Sequence, residues 1–127
     1  MKLLCFFLLL NMGYNCSSTS NVKMNYGEIA TFKKGRLLSF PDFDIEYTGI
    51  RKETSHFNNG HSFTFTLYDF LIKKNGVEKT ISWSPGTGDI GPQNFEFNDK
   101  KYTIELKYSI NHKKRLDDDE FVINKSL

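Results

Sequence analysis

Glycines at residues 86–91 fit the G-x-G-x-x-G spacing with which some proteins bind the pyrophosphate of a dinucleotide. In that use, a strand enters the turn and the N-terminal amides of a following helix bind the phosphates. Here an apolar, strand-like segment ends at Trp83 before the loop. After the loop, Pro92 and the alternation of Phe95 and Phe97 predict a second strand instead of a helix. We therefore expect no nucleotide cofactor.

The same loop is a candidate binding site. Its glycines lie between Pro85 and Pro92, a composition that predicts a tightly specified backbone path. One interpretation is a shaped connection between strands, in which Asp89 accepts hydrogen bonds from loop amides. The other is a recognition loop held on a rigid β scaffold. The candidate contact residues are an anchor, two hydroxyls, a carboxylate and an apolar tip: Trp83, Ser84, Thr87, Asp89 and Ile90.

Catalysis and metal binding have little support in the residue pattern. A serine-histidine-aspartate set can be assembled from Ser84, His112 and Asp89, but no G-x-S-x-G motif accompanies it. A closed zinc site needs four ligands, whereas the chain has three histidines and two cysteines that are poorly placed to join them. The acidic run at residues 117–120 lacks the alternation and central glycine of an EF-hand loop. We predict no enzymatic activity and no metal.

The charge distribution argues against nucleic acid as a ligand. The formal net charge is +2, and the basic run at residues 113–115 is followed almost directly by the acidic run at residues 117–120. A nucleic-acid surface needs lysine and arginine clustered on one face. The charges of these two runs cancel locally, and the runs indicate a solvated loop.

The N-terminus indicates export. Lys2 precedes an apolar run over residues 3–10 that stops at Asn11, the layout of a signal peptide. The run is shorter than the roughly 20 residues of a membrane-spanning helix; the alternative is an N-terminal core helix. With 127 residues, one domain is expected. We predict a signal peptide over residues 1–15, a flexible tether over 16–21 and a single β domain over 22–127.

Cys16 and the serine-rich stretch after it resemble the N-terminus of a bacterial lipoprotein. In that family the cysteine becomes the lipidated first residue, so the resemblance implies a lipid on Cys16. Tyr14 and Asn15 depart from the small residues usual before that cysteine, and simple cleavage nearby is the alternative. The expected location is the periplasm or the outer surface, with membrane contact only through this lipid.

The mature part of the chain has the alternation of apolar and polar residues that is typical of β-strands. We predict an all-β fold: a small antiparallel barrel or a two-sheet sandwich, in largely meander order. About eight strands are expected, near residues 26–33, 36–40, 43–57, 61–73, 77–84, 94–98, 101–110 and 119–125.

Asn-Gly dipeptides predict the hairpin turns and hence the register. With two-residue loops at residues 59–60 and 75–76, Phe70 faces both Gly49 and Ile81. Further turns are expected at residues 34–35 and 98–99. The predicted partners also include Tyr47 with Ile72, Arg51 with Tyr68, Ile72 with Lys79, and Tyr68 with Trp83. The core face collects Tyr47, Tyr68, Phe70, Ile72, Ile81 and Trp83.

Three apolar residues do not fit this register, which sends Phe63, Phe65 and Leu67 to the polar face. A bulge near Leu67 or Tyr68 would return them to the core, and we expect one there. Without a bulge they form an exposed apolar patch, of the kind that marks a binding partner.

In size, export signal and aromatic β pattern, the chain is similar to small envelope lipoproteins that inhibit lysozymes or proteases. The similarity implies a non-enzymatic binding or inhibitor-like protein whose partner is an envelope or extracellular protein or glycan. Two alternatives stay open: a barrel that carries an apolar ligand, and a hydrolase.

Overall fold

The computed structural model describes residues 21–85 and 91–127, and every regular element there is a β-strand. The predicted signal peptide, most of the predicted tether and Cys16 lie outside the described residues. No helix in this part of the chain is long and apolar enough to cross a membrane. The strands are β1 Val22–Lys23, β2 Ile29–Thr31, β3 Leu37–Ser39, β4 Asp44–His56, β5 Ser62–Lys74, β6 Val77–Trp83, β7 Gln93–Phe97, β8 Lys100–Leu106, β9 Tyr108–Ser109, β10 Lys114–Arg115 and β11 Glu120–Lys125.

The described strands form three sheets. Five strands pair in the order β1-β3-β4-β5-β6, four in the order β2-β11-β8-β7, and β10 pairs with β9. All neighbours are antiparallel except β1 and β3. The all-β prediction is confirmed. The strand count exceeds the expected eight for two reasons. β1 and β10 are two-residue strands, too short to leave a periodic pattern. The strand predicted over 101–110 is interrupted at Lys107, which takes a φ of 70°, and is divided into β8 and β9.

Two of the predicted hairpins are confirmed, one of them with its predicted register. Asn75 and Gly76 both take positive φ, and Lys74 pairs with Val77, so the predicted pairs between β5 and β6 are correct. Asn98 and Asp99 also take positive φ and join β7 to β8. Turn residues that require positive φ fix these hairpins locally.

The predicted register between β4 and β5 is wrong, for two reasons. The loop has three residues instead of two, because the Phe57 amide donates to the His61 carbonyl at 2.8 Å and Gly60 takes a φ of 83°. In addition, β4 carries a bulge at Thr48, so that Tyr47 pairs with Phe70. Three predicted pairs change as a result. Gly49 pairs with Asp69 instead of Phe70, Arg51 with Leu67 instead of Tyr68, and Ile72 with Ile45 instead of Tyr47.

Residues 34–35 do turn the chain, but they do not close a hairpin. Gly35 has a φ of 82°, and the Arg36 amide donates to the Lys33 carbonyl at 3.0 Å. The strands on either side, β2 and β3, belong to different sheets. The turn therefore carries the chain from the four-stranded to the five-stranded sheet.

Both larger sheets contribute to one aromatic core. The Phe70 ring of β5 lies 5.5 Å from the Phe121 ring of β11, and the Phe43 ring lies 5.1 Å from the Tyr102 ring of β8. Four predicted core residues are buried: Phe70, Ile72, Ile81 and Trp83. The other two, Tyr47 and Tyr68, are partly buried and pack against the core.

Candidate functional site

A two-stranded hairpin extends past the rest of the five-stranded sheet. β4 and β5 have 13 residues each, but β3 pairs with β4 only up to Glu46, and β6 pairs with β5 only from Tyr68 onward. We call residues 49–67 the arm. At its tip, Phe57 is 56% exposed. A two-stranded ribbon is marginally stable by itself, so the arm depends on its base and on what it contacts.

The base of the arm is formed by the bulge in β4. Thr48 is the extra residue, and its hydroxyl donates to the Asp69 carbonyl at 3.1 Å. Gly49 follows with a φ of 140°, a conformation that residues with a β-carbon rarely adopt. The glycine therefore allows the strand to change its direction where it leaves the sheet.

The arm carries apolar side chains on the face away from the core. β5 pairs regularly with β4 from Ser62 to Asp69, and the bulge predicted near Leu67 or Tyr68 lies instead in β4. Side chains alternate along a regular strand, so Phe63, Phe65 and Leu67 lie on the face opposite Tyr68 and Phe70. We call these three residues the apolar stripe. They are half-buried, and the Phe63 and Phe65 rings lie 5.1 Å apart.

A hydrogen-bonded charged group adjoins the stripe. Arg51, directly across from Leu67, donates from Nε to Asp69 Oδ2 at 2.7 Å and also contacts Glu53. The Ser82 hydroxyl donates to Asp69 Oδ1 at 2.5 Å. The hydrogen bonds to Asp69 and then to Glu53 raise the pKa of Arg51 above its ordinary value. The guanidinium is thus held beside the stripe with its charge compensated.

The ends of the glycine-rich loop are fixed from the core. Trp83 is fully buried against Tyr68, and its Nε1 donates to the Gly91 carbonyl at 3.3 Å. The Gln93 side-chain amide donates to the Ser84 carbonyl at 2.9 Å. Trp83 therefore supports the base of the loop from inside. Thr87, Asp89 and Ile90 lie outside the described residues, and binding at this loop stays a prediction.

The sequence did not reveal a cluster of polar side chains around Asp42. The Tyr26 and Tyr102 hydroxyls donate to Asp42 Oδ2 at 2.7 and 3.1 Å. Lys125 Nζ lies 3.1 Å from Oδ2, and Lys100 Nζ lies 3.3 Å from Oδ1. These partners lie 16 to 83 residues away in sequence. The only local signal is a carboxylate between Phe40 and Phe43, so sequence reasoning had little to detect.

The cluster has a marked effect on ionisation. Hydrogen bonds, first from Tyr26 and then from Lys125, Tyr102 and Lys100, hold the pKa of Asp42 well below its ordinary value. Burial, followed by the hydrogen bond to Asp42, raises the pKa of Tyr102 to about 12. The same two causes raise the pKa of Tyr26 further. The cluster joins the loop before β4 to β8 and β11, which is a structural use of these groups.

Other polar groups that resemble catalytic residues bind backbone. Glu105 and Ser109 are buried, but Glu105 Oε2 accepts from the Ile110 amide at 2.7 Å, and the Ser109 hydroxyl accepts from the His112 amide at 3.4 Å. The His112 ring bonds to the Gly27 carbonyl at 2.6 Å through Nε2. Among residues 21–85 and 91–127, no three histidines, cysteines or carboxylates form a group that could hold a metal ion.

Two polar grooves lie on the described surface. One of about 540 Å³ has lysine, amide and carboxylate groups along it, and Lys79 Nζ donates there to the Glu96 carbonyl at 2.7 Å. The other, of about 280 Å³, surrounds the turn at residues 75–76. Both are open to solvent and polar, and they suit small hydrophilic ligands rather than apolar ones.

Comparison with family models, with curated proteins and with solved structures finds no match to this chain. Of the features described above, the apolar stripe is the one whose side chains serve neither the core nor the backbone.

Proposed function

We propose that this chain is a non-enzymatic binding protein, exported to the bacterial cell envelope, and that it binds another protein through the outer face of the arm. The observation that carries the proposal is the apolar stripe, Phe63, Phe65 and Leu67, outside the core on a strand pair that projects past its sheet. Contiguous apolar side chains outside the core of a small protein commonly mark an interaction site.

The surroundings of the stripe support a protein partner. Protein interfaces combine an aromatic centre with a polar rim, and fixed charges at the rim orient the two surfaces. Phe63 and Phe65 supply the aromatic centre, and Arg51 with Asp69 supplies a fixed rim. The side chains of a projecting hairpin can enter a cleft that a flat surface cannot, which suits an inhibitor-like role.

The N-terminal features and the glycine-rich loop complete the proposal. Lipid on Cys16 would hold the domain at a membrane surface, and cleavage nearby would release it. Metabolic labelling with palmitate tests this: label is expected in the wild type and absent from Cys16→Ala, and an unlabelled wild type would exclude the lipid. Ser84, Thr87, Asp89 and Ile90 remain candidates for a second contact, with Trp83 as their buried support.

Binding is tested by capture from envelope extract, followed by titration of the identified partner with purified chain. Phe65→Ser removes an aromatic ring from the stripe. Ile50→Ser is the matched control, because Ile50 is 55% exposed on the opposite face of the same arm. We expect Phe65→Ser to weaken binding at least tenfold, a loss that one buried ring can supply, and Ile50→Ser to leave it unchanged.

The outcomes separate the two candidate surfaces. Loss of binding in Asp89→Ala with Ile90→Ala, but not in Phe65→Ser, would move the site to the glycine-rich loop. Equal affinity of the wild type and all the variants would refute both sites.

A further inference from the structure

The arm leaves one edge of β5 without a strand partner. Because the Phe57 amide bonds to the His61 carbonyl, Phe63 and Phe65 occupy the positions that exchange hydrogen bonds with β4. The amides and carbonyls of Ser62, Thr64 and Thr66 therefore point to the other edge. β6 pairs with that edge only from Tyr68 onward, and no other strand in the described part of the chain reaches it.

This edge lacks the features by which proteins protect exposed strands. Natural edges carry charges, proline or bulges that prevent pairing with another chain. Residues 62–67 read Ser-Phe-Thr-Phe-Thr-Leu, without a charge, a proline or a bulge. The opposite edge of the arm, in β4, carries Arg51, Lys52 and Glu53 in succession. The two edges therefore differ, and the β5 edge is the one suited to pairing.

We propose that a second copy of this chain pairs with the β5 edge of the arm in an antiparallel, two-fold arrangement. Thr64 then lies opposite Thr64 of the second copy, and Ser62 lies opposite its Thr66. All three residues whose backbone groups point outward are satisfied in this register, with about six hydrogen bonds across the axis. The two arms become one four-stranded sheet.

The sequence of the edge favours a second copy as its occupant. Two-fold antiparallel pairing places a short segment against itself in reverse, and like charges placed directly across from each other are unfavourable. Residues 62–67 contain no charge. Pairing places Phe63 opposite Phe65 of the second copy on one face and hydroxyl side chains together on the other, and both kinds of pair are favourable. The two apolar stripes become continuous.

This inference goes beyond the proposed function, because pairing uses backbone groups at the edge and leaves the outer face of the stripe accessible. The mass of the purified chain in solution tests it, measured by light scattering and sedimentation with reductant present. Thr64→Pro removes an outward-pointing amide donor and keeps the bonds to β4. Thr54→Pro is the matched control, since Thr54 pairs with Thr64 and its amide points to the β4 edge.

We expect a dimer for the wild type and for Thr54→Pro, and a monomer for Thr64→Pro, with at least a tenfold rise in dissociation constant. Since proline can disturb the arm, a second variant tests the register directly. Thr64→Cys, in a Cys16→Ala background, should form an intermolecular disulfide on oxidation, because paired residues in this position have Cα atoms about 5.5 Å apart. Thr54→Cys should not.

A wild type that remains monomeric at about 0.1 mM, and so has a dissociation constant above that value, would overturn the inference. Equal association of the two proline variants, or equal cross-linking of the two cysteine variants, would also overturn it. Because only the purified chain is measured, failure here leaves the proposed partner untouched. Conversely, unchanged partner capture by Phe65→Ser, with Thr64→Cys still cross-linking, would refute binding through the stripe and leave the pairing of the two copies standing.

Discussion

Replacing Asp42 with asparagine should destabilise the fold in a pH-dependent manner. The Asp42 carboxylate accepts from two tyrosine hydroxyls and contacts two lysines, and its side chain is 21% exposed. Asparagine has almost the same shape, but it has no charge and only one acceptor oxygen. Both tyrosine hydroxyls donate to the same oxygen, Oδ2, so the asparagine oxygen can accept from both, but each bond then goes to a neutral group instead of a carboxylate.

The expected loss follows from these contacts. A hydrogen bond to a charged group contributes about 1.5–3 kcal/mol and one to a neutral group about 0.5–1.5 kcal/mol, so the two tyrosine bonds together lose about 2–3 kcal/mol. The attraction of the two exposed lysines adds about 0–1 kcal/mol. Asp42→Asn should therefore lower the free energy of unfolding by about 2–4 kcal/mol at pH 7. Lys100→Met is the control: it removes one exposed contact at 3.3 Å and should lower stability by less than about 1 kcal/mol.

The pH dependence of the stability difference tests whether the charge of Asp42 is its cause. The folded state holds the pKa of Asp42 below its ordinary value, so the contribution is complete above the unfolded pKa, about 3.9, and declines as the pH falls further. Urea unfolding of wild type and Asp42→Asn at pH 7, 4 and 3 measures it, with fluorescence of Trp83, the only tryptophan, as the probe. A loss under about 0.5 kcal/mol at pH 7, or a difference that does not narrow below pH 4, would refute the reasoning.

Three further outcomes are expected. Because burial and Asp42 raise the pKa of Tyr102 to about 12, its phenol should ionise later than ordinary tyrosine in an absorbance titration, and stability should decline as the pH rises from about 10 to about 12. Gly49→Ala should reduce the urea-unfolding free energy by about 1–3 kcal/mol, because alanine is strained at a φ of 140°; an unchanged midpoint would contradict this. Trp83→Phe should speed proteolysis at the glycine-rich loop by removing the hydrogen bond to Gly91, and an unchanged cleavage rate would show that the bond is dispensable.

Local turn chemistry determines how much of the fold is predictable. At residues 75–76 and 98–99, the turn residues at positive φ lie next to strands with a clear alternation, and both predicted hairpins are present. The pairing predicted across residues 75–76 is also correct. At residues 59–60 the same kind of dipeptide is misleading. Asn58 extends the loop by one residue, and Gly60 supplies the positive φ of a three-residue loop instead. A dipeptide identifies the turn but does not fix its length.

Long-range contacts explain the rest of what the sequence missed. The Asp42 cluster joins residues from the start, middle and end of the described chain, and no spacing rule relates them. The crossing between sheets at residues 34–35 has the same turn signal as a hairpin, and only the pairing of β2 with β11 distinguishes them. The cluster and the crossing both depend on the pairing of distant strands. The alternation of residues along one strand does not specify that pairing.

In the arm, the change of hydrophobic pattern along β5 determines which face of the hairpin is apolar, more than the turn that closes the hairpin does. Along β5 the core face begins with Ile72, Phe70 and Tyr68 and continues with Thr66 and Thr64, while the outer face changes from Asp69 to the apolar stripe. A bulge in β5 would absorb this change and return the phenylalanines to the core. Because the bulge lies in β4 instead, β5 alternates without interruption, and the two faces of the sheet exchange polarity at Leu67.

Beyond Leu67 the apolar face points away from the core of its own domain, and a two-stranded ribbon cannot bury it alone. Burial of an aromatic side chain contributes about 1.5–3 kcal/mol relative to exposure, so a surface that covers Phe63 and Phe65 gains free energy from the reversed pattern. Inserting one residue in β5 between Leu67 and Tyr68 tests this directly. The insertion should return the stripe to the core face and abolish partner capture. The free energy of unfolding in urea should stay unchanged or increase. Retained capture would show that the partner does not bind the apolar face of the arm.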